Sequence, residues 1–351
     1  MATKKITDIP QAKTEPDFEN LLKVLRCQKP NRPTLFEFFL NKNLEERIIT
    51  RDDPSKVKPW SDPLRRGLAF RQAGYDYVIF TVPGFVFPRP QREHKSSISM
   101  SHGGVITDRA SFKACAWQNP DDAQYQALDE VAAELPSGMK IIPSGPGGVE
   151  ENAIELIGFE ELCFMMADDP DLTQEIFDKI GSSLLRYYEL AAAHRAVGAC
   201  MVNDDWGFKT QTLLSVAQMR KYVFPWHQKI VAAIHKAGKP AILHSCGYYE
   251  QIVDIMIDEL KFDARHSYED AIEPVEKAYE RFKGRMAVLG GIDVDFVCRS
   301  TPEQVYQRSS AMLKQGASSG YALGTGNSVP EYVPHDHYFA MINAALHARE
   351  G

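Results

Sequence analysis

The chain has 351 residues, 44% of them hydrophobic and 25% charged, with a formal net charge of −7. That length accommodates two domains of roughly 150 residues, or one α/β barrel of about 250 residues with decoration. No apolar run approaches the roughly 18 residues of a membrane span. The N-terminal MATKKITDIPQAKTEPDFEN has no apolar core of a secretory signal, and no block of like charge offers phosphate neutralisation. Membrane, secreted and nucleic-acid-binding classes are therefore set aside. Six scattered cysteines without a CxxC pair read as free thiols. The expectation is a cytoplasmic globular enzyme.

Residues 1–20 are polar and expected to fray. Segments 17–27 and 34–48 read as helices, the second beginning after the Pro30–Pro33 break. Three prolines make 51–63 a connection. A helix over 64–73 closes on Gly74, and YDYVIFTV at 75–82 is a strand. Residues 83–90 form an apolar loop carrying Phe85 and Phe87, which either covers a pocket or packs under the fold. A small hairpin is predicted from 96–100 and 104–106. Beyond it, 169–195 is a long amphipathic helix with Leu172, Ile176, Ile180, Leu184 and Tyr188 on one stripe. Strands at 199–203, 240–244, 262–267, 285–290 and 321–324 then alternate with helices at 215–236, 250–260, 274–282, 301–314 and 337–349. This β-α alternation predicts a parallel sheet, open or closed, with function in the loops leaving the strand C-termini. No GxGxxG, GxxxxGK[ST] or GxSxG follows a strand.

Three strand ends concentrate polar chemistry. Asn203-Asp204-Asp205-Trp206 places two carboxylates and a stacking surface after ACMV; the aspartates bind substrate, hold a metal or move protons, or else cap a turn. His244-Ser245-Cys246 follows PAIL. Side chains two apart in an extended segment share a side, so imidazole and thiolate can present to one ion, a pairing that suits zinc; the alternative is a buried histidine beside an incidental cysteine. Asp293 and Asn327, each in a glycine-rich turn, reach a substrate or cap a helix or turn. His266 ends a further strand.

From Asn203 onward the order NDDWGFKTQTLLS, RKYVFP, GKPAILHSCG, GRMAVLGGIDVDFV, TPEQV and GYALGTGNSVP resembles the uroporphyrinogen decarboxylase superfamily, as does GFEELCFMMADDPDLTQEIFDKIG before it. The resemblance implies a single (β/α)8 TIM-type barrel over 64–351 behind an irregular, partly helical N-terminal extension, 1–63. The decarboxylase signature is echoed only by Arg71-Gln72-Ala73-Gly74 and breaks at Tyr75, and the strand ends lack basic anchors for an octa-acid. The superfamily's zinc methyltransferases carry a His-X-Cys motif that matches His244 and Cys246. Their third ligand, a cysteine after the last strand, is replaced here by Thr325, which leaves Asp205 or Glu150 to complete the site.

The resemblance thus implies a zinc-dependent methyltransferase, closer to that branch than to true uroporphyrinogen decarboxylase. It would move a methyl group from a small donor, such as a methoxylated aromatic, to a corrinoid carried by a partner protein. Asp205 and Glu150 are its candidate acid/base groups. Asp204, Trp206, Tyr248, His266, Asp293 and Asn327 are its candidate substrate contacts. A homodimer is the family expectation. The alternatives are a cofactor-free decarboxylase using Asp205, and a non-catalytic module binding a corrinoid or another tetrapyrrole.

Overall fold

A computed structural model describes residues 5–56, 58, 61–90 and 104–350. Seven short strands are β1 (Tyr77–Phe80), β2 (Lys140–Pro143), β3 (Cys200–Asn203), β4 (Ala241–His244), β5 (Ala264–His266), β6 (Ala287–Leu289) and β7 (Tyr321–Ala322). Each pairs in parallel with the next, through ladders from β1 to β2 and from β3 to β7, with bridges Ile141–Val197 and Ser144–Met201 joining the two sets. Their side chains are buried almost throughout, as strands covered on both faces require.

The eighth position is filled from near the N-terminus. Residues 34–40 run extended beside β7, through the parallel bridges Leu35–Leu323 and Leu40–Val329. On its other flank the Tyr77 hydroxyl of β1 donates to the Glu37 carbonyl and accepts the Glu37 N–H, both at 2.6 Å. The circle is a (β/α)8 TIM-type barrel with helices outside, among them the long Pro170–Ala193, capped by Asp169. No helix among the described residues is long and apolar enough to cross a membrane.

Several segments depart from the sequence pattern, each for a local reason. The helix expected over 34–48 begins only at Lys42, after the Asn41 cap, because the backbone of Phe36 and Asn41 bonds to Leu323 and Val329 instead. Residues 34–40, within the expected extension, therefore run in the barrel wall. The 215–236 helix breaks at Val223 into Val216–Tyr222 and Phe224–Lys236, since Pro225 cannot donate within a continuous helix. Over 250–260 a 3-10 turn (Glu250–Ile252) and a π-helical turn (Ile255–Glu259) replace an α-helix: the consecutive residues Ile255, Met256 and Ile257 are all buried and cannot share one α-helical face.

Strand β2 has no counterpart in the sequence reading, since KIIP offers two apolar residues before a proline. The first arm of the expected 96–106 hairpin lies outside the described residues. In the second, the N–H groups of Gly104 and Ile106 donate to Ile157 and Leu156. Phe85 and Phe87 are buried against Tyr187 and Trp117, so these two rings pack on the barrel.

Candidate metal centre

The ladder aligns Asn203 with His244 and His244 with His266, so the turns leaving β3, β4 and β5 meet at the barrel mouth. There a carboxylate oxygen of Asp205, a ring nitrogen of His244 and the Cys246 sulfur lie within 4.8 Å of one another. His244 Nε2 is 3.7 Å from Cys246 Sγ, and the Cys246 N–H donates to Asp205 Oδ1 at 2.7 Å. Gly247 lets these turns touch. Its φ is +85°, and a Cβ there would fall 1.9 Å from the Gly207 carbonyl oxygen.

His244 Nδ1 lies 2.8 Å from His266 Nδ1. The tautomer in which His244 donates this bond leaves its Nε2 lone pair bare towards Asp205 and Cys246, the form a metal needs. Burial holds both the His244 and the His266 rings well below the ordinary imidazole range, which favours their neutral forms. Arg265 reinforces this from beneath. Its guanidinium sits 3.8 Å from the Tyr249 ring centroid and 4.8 Å from that of Tyr268, and it donates to the carbonyls of Ser245 and Ser267. The Cys246 thiol is pushed up to about 12 by burial and then by the Asp205 charge. Ser267 Oγ and Asn327 Nδ2 each donate to its sulfur at 3.3 Å.

A site that crowds a carboxylate against a thiol, and keeps two histidines neutral, fits a divalent cation. Imidazole, thiolate and carboxylate donors suit zinc, and three protein ligands leave a fourth position for chemistry. Two cavities flank the triad. One, of about 410 Å³, is lined by Asp205, Glu151, Asn203 and Phe208. The other, of about 700 Å³, is lined by Asn327, Asp293, Tyr268 and Phe39.

The remaining candidates divide. Asp204 lines neither cavity: its carboxylate accepts the N–H groups of Val149, Glu150 and Glu151 at the start of the helix Val149–Ile157, and pairs with His227 at 2.7 Å. Trp206 is fully buried against Phe224 and His227, so it is core and not a stacking surface for a ligand. Glu150 is also fully buried and stands outside the triad. Burial raises its pKa far above the carboxylate range, and the Asp204 charge adds to this.

His266 is buried behind His244, its Nδ1 2.8 Å from that ring's Nδ1. Asp293 lines the larger cavity, but its oxygens accept the N–H groups of Phe296 and Asp270. Tyr248 is half-buried, its N–H donating to the Phe208 carbonyl. Asn327 reaches the Cys246 sulfur itself. Thr325 turns to Glu37 and to the Asn327 carbonyl, and takes no place beside the triad.

Sequence reading missed Glu151, Arg265, Ser267 and Glu37. Glu151 lines the smaller cavity with its pKa raised by burial and by the Asp204 and Asp205 charges. The Gly148–Glu151 capping pair was its one local signal. Glu37 is fully buried, which raises its pKa from 4.5 to about 8 despite its hydrogen bonding with Thr325. Across that window the unfolded chain has released a proton that the folded chain keeps, so stability falls as pH rises from about 4.5 to 8. Glu37→Gln is expected to remove this share of the slope. Urea unfolding at several pH values should show the variant gaining on the wild type between those limits; a pH-independent difference would contradict a buried neutral carboxyl.

A model of the family uroporphyrinogen decarboxylase (URO-D) matches residues 104–347, more than half of the chain. A methylated-thiol–coenzyme M methyltransferase of Methanosarcina mazei is 25% identical over 258 residues, which cover 68% of this chain and 65% of that protein, just under two thirds of its length. A uroporphyrinogen decarboxylase of Anaeromyxobacter dehalogenans is 24% identical over 256 residues, 70% of each chain. The solved structure of a methyltransferase from Methanosarcina mazei shares the fold, with a TM-score of 0.67 at 13% identity over 93% of this chain and 97% of that one. The curated relatives it resembles thus include both a methyltransferase and a decarboxylase, and the chain belongs to the uroporphyrinogen decarboxylase family.

Proposed function

We propose that this chain is a zinc-dependent methyltransferase that passes a methyl group from a small methylated donor to a corrinoid carried by a separate protein. The observation that carries the reading is the meeting of Asp205, His244 and Cys246 at the barrel mouth, with His244 Nδ1 turned to His266 and its Nε2 towards Cys246. Zinc held by these three would supply Lewis acidity towards the donor heteroatom. The chain's own part is positioning: His266 fixes the ring, Ser267 and Asn327 steady the sulfur, and Asp205 adds an oxygen ligand, harder than the second thiolate it replaces. A harder ligand set favours an ether oxygen over a thiol, and Phe208 on the cavity rim offers an aromatic edge. A methoxylated aromatic is the donor class this suits.

The smaller cavity speaks against an octa-acidic porphyrinogen. About 410 Å³ holds a single-ring ligand, and its described lining sets Glu151, Glu155 and Asp205 against one cation, Arg89. The test is methyl transfer to free cob(I)alamin, whose cobalt electron pair takes the methyl while the donor oxygen leaves with a proton. Methylcobalamin absorbance should rise with zinc and a methoxylated aromatic, and fall to background in chelator. Porphyrinogen decarboxylation that persists in chelator would establish the decarboxylase reading instead; pigment binding without any turnover would establish the binding module.

A further inference from the structure

The strap Phe36-Glu37-Phe38 lies against the metal centre. The Phe36 ring is 5.3 Å from the His266 ring, and the Phe38 ring 4.6 Å from that of His244. Between them the buried Glu37 carboxyl meets the turn after β7. Its Oε2 accepts the Thr325 N–H at 3.3 Å, and its Oε1 lies 2.5 Å from Thr325 Oγ1. That hydroxyl is also 2.5 Å from the Asn327 carbonyl oxygen.

A hydroxyl carries one hydrogen, and a carbonyl oxygen only accepts. Thr325 therefore donates to Asn327, and the hydrogen between Thr325 and Glu37 must come from the carboxyl. Glu37 is neutral here, among the phenols Tyr75, Tyr77, Tyr321 and Tyr338. Two residues beyond Thr325, the Asn327 Nδ2 donates to Cys246 Sγ at 3.3 Å, while its Oδ1 is held by the Ser328 N–H.

We propose that Glu37 is a positioning residue of the metal centre: through Thr325 it fixes the 325–327 turn and so holds the Asn327 amide against the Cys246 sulfur. This rests on the reading of Cys246 as a ligand. It links the first barrel segment to the last turn across 288 positions of sequence. A satisfied chain of hydrogen bonds ending on the sulfur orients it without adding charge to the site.

The experiment is a double-mutant cycle on the 351-residue chain. Its readout is the rate of Cys246 alkylation by iodoacetamide in chelator-treated protein at one fixed pH, followed on the Cys246 peptide by mass spectrometry. Zinc affinity, from competition with a chromophoric chelator, is measured in parallel. Asn327→Ala is expected to change the alkylation rate by about fivefold, the weight of one hydrogen bond. Glu37→Met and Thr325→Val should shift it in the same direction, and the Glu37→Met/Asn327→Ala pair no further than Asn327→Ala alone.

Glu37→Gln, which keeps a donor for Thr325 Oγ1 and an acceptor for its N–H, should match the wild type. Multiplying effects in the double variant would overturn the proposal, as would a Glu37→Gln that behaves like Glu37→Met, or a rate that none of these changes moves. Should Glu37→Met fail to fold, Thr325→Val with Asn327→Ala completes the same cycle. A wild type that binds no zinc would defeat the metal reading, and the alkylation pattern would still decide the positioning role.

Discussion

Cys246→Ser is expected to yield a folded chain that purifies without metal and transfers methyl groups at about one-hundredth of the wild-type rate or less. Serine is close to isosteric with cysteine, and its hydroxyl can accept the same bonds from Ser267 and Asn327, so the turn has little reason to move. The ligand set changes more than the packing. A neutral hydroxyl replaces the soft thiolate, leaving one imidazole and one carboxylate, and loss of an outer-shell partner alone already costs 10–100-fold in affinity by general experience, roughly the lower bound here. Elemental analysis of both proteins, with melting curves as a control for folding, decides the matter. About one zinc per wild-type chain and none in the variant is the expected pair; a Cys246→Ser protein that keeps its zinc would remove Cys246 from the site.

Two neighbouring aspartates are expected to fail in opposite ways. Asp204→Ala should cost about 3–5 kcal/mol of stability, the weight of breaking a fully buried, hydrogen-bonded charge. It leaves three N–H groups at the start of Val149–Ile157 without their acceptor, and strands His227 in the core. Asp205→Ala should change stability by no more than about 1 kcal/mol, since the described bonds to its carboxylate come from the backbone N–H and the thiol of Cys246. It should instead abolish zinc binding. Urea unfolding of the metal-free proteins, paired with zinc titration, separates the two. The assignment fails if Asp205→Ala unfolds as readily as Asp204→Ala, or if Asp204→Ala loses metal affinity while keeping its stability.

Glu150 and Glu151 repeat the pattern. Adjacent residues on one helix differ by about 100° in direction, so one enters the core while its neighbour lines the cavity. In both pairs the chemical type and the strand-end or helix-start location are legible in sequence, whereas the direction of each side chain depends on how the barrel is wound. Trp206 illustrates the same limit: a large aromatic beside two carboxylates has the composition of a binding surface, and packing against Phe224 and His227 makes it core.

Local information alone was enough for the β-α alternation, the long amphipathic helix from 169, the Gly74 stop and the His244–Cys246 pair on one side of a strand end. Each follows from residues within a few positions of one another, where propensity, capping and period act directly. The third donor, the identity of the capping aspartate, the buried Arg265 and the eighth barrel position waited on the tertiary structure. Asp205 meets Cys246 across 41 positions and Glu37 meets Thr325 across 288. Such encounters are set by strand register and barrel closure, which bring distant segments to one mouth, and no periodicity within either segment encodes its partner.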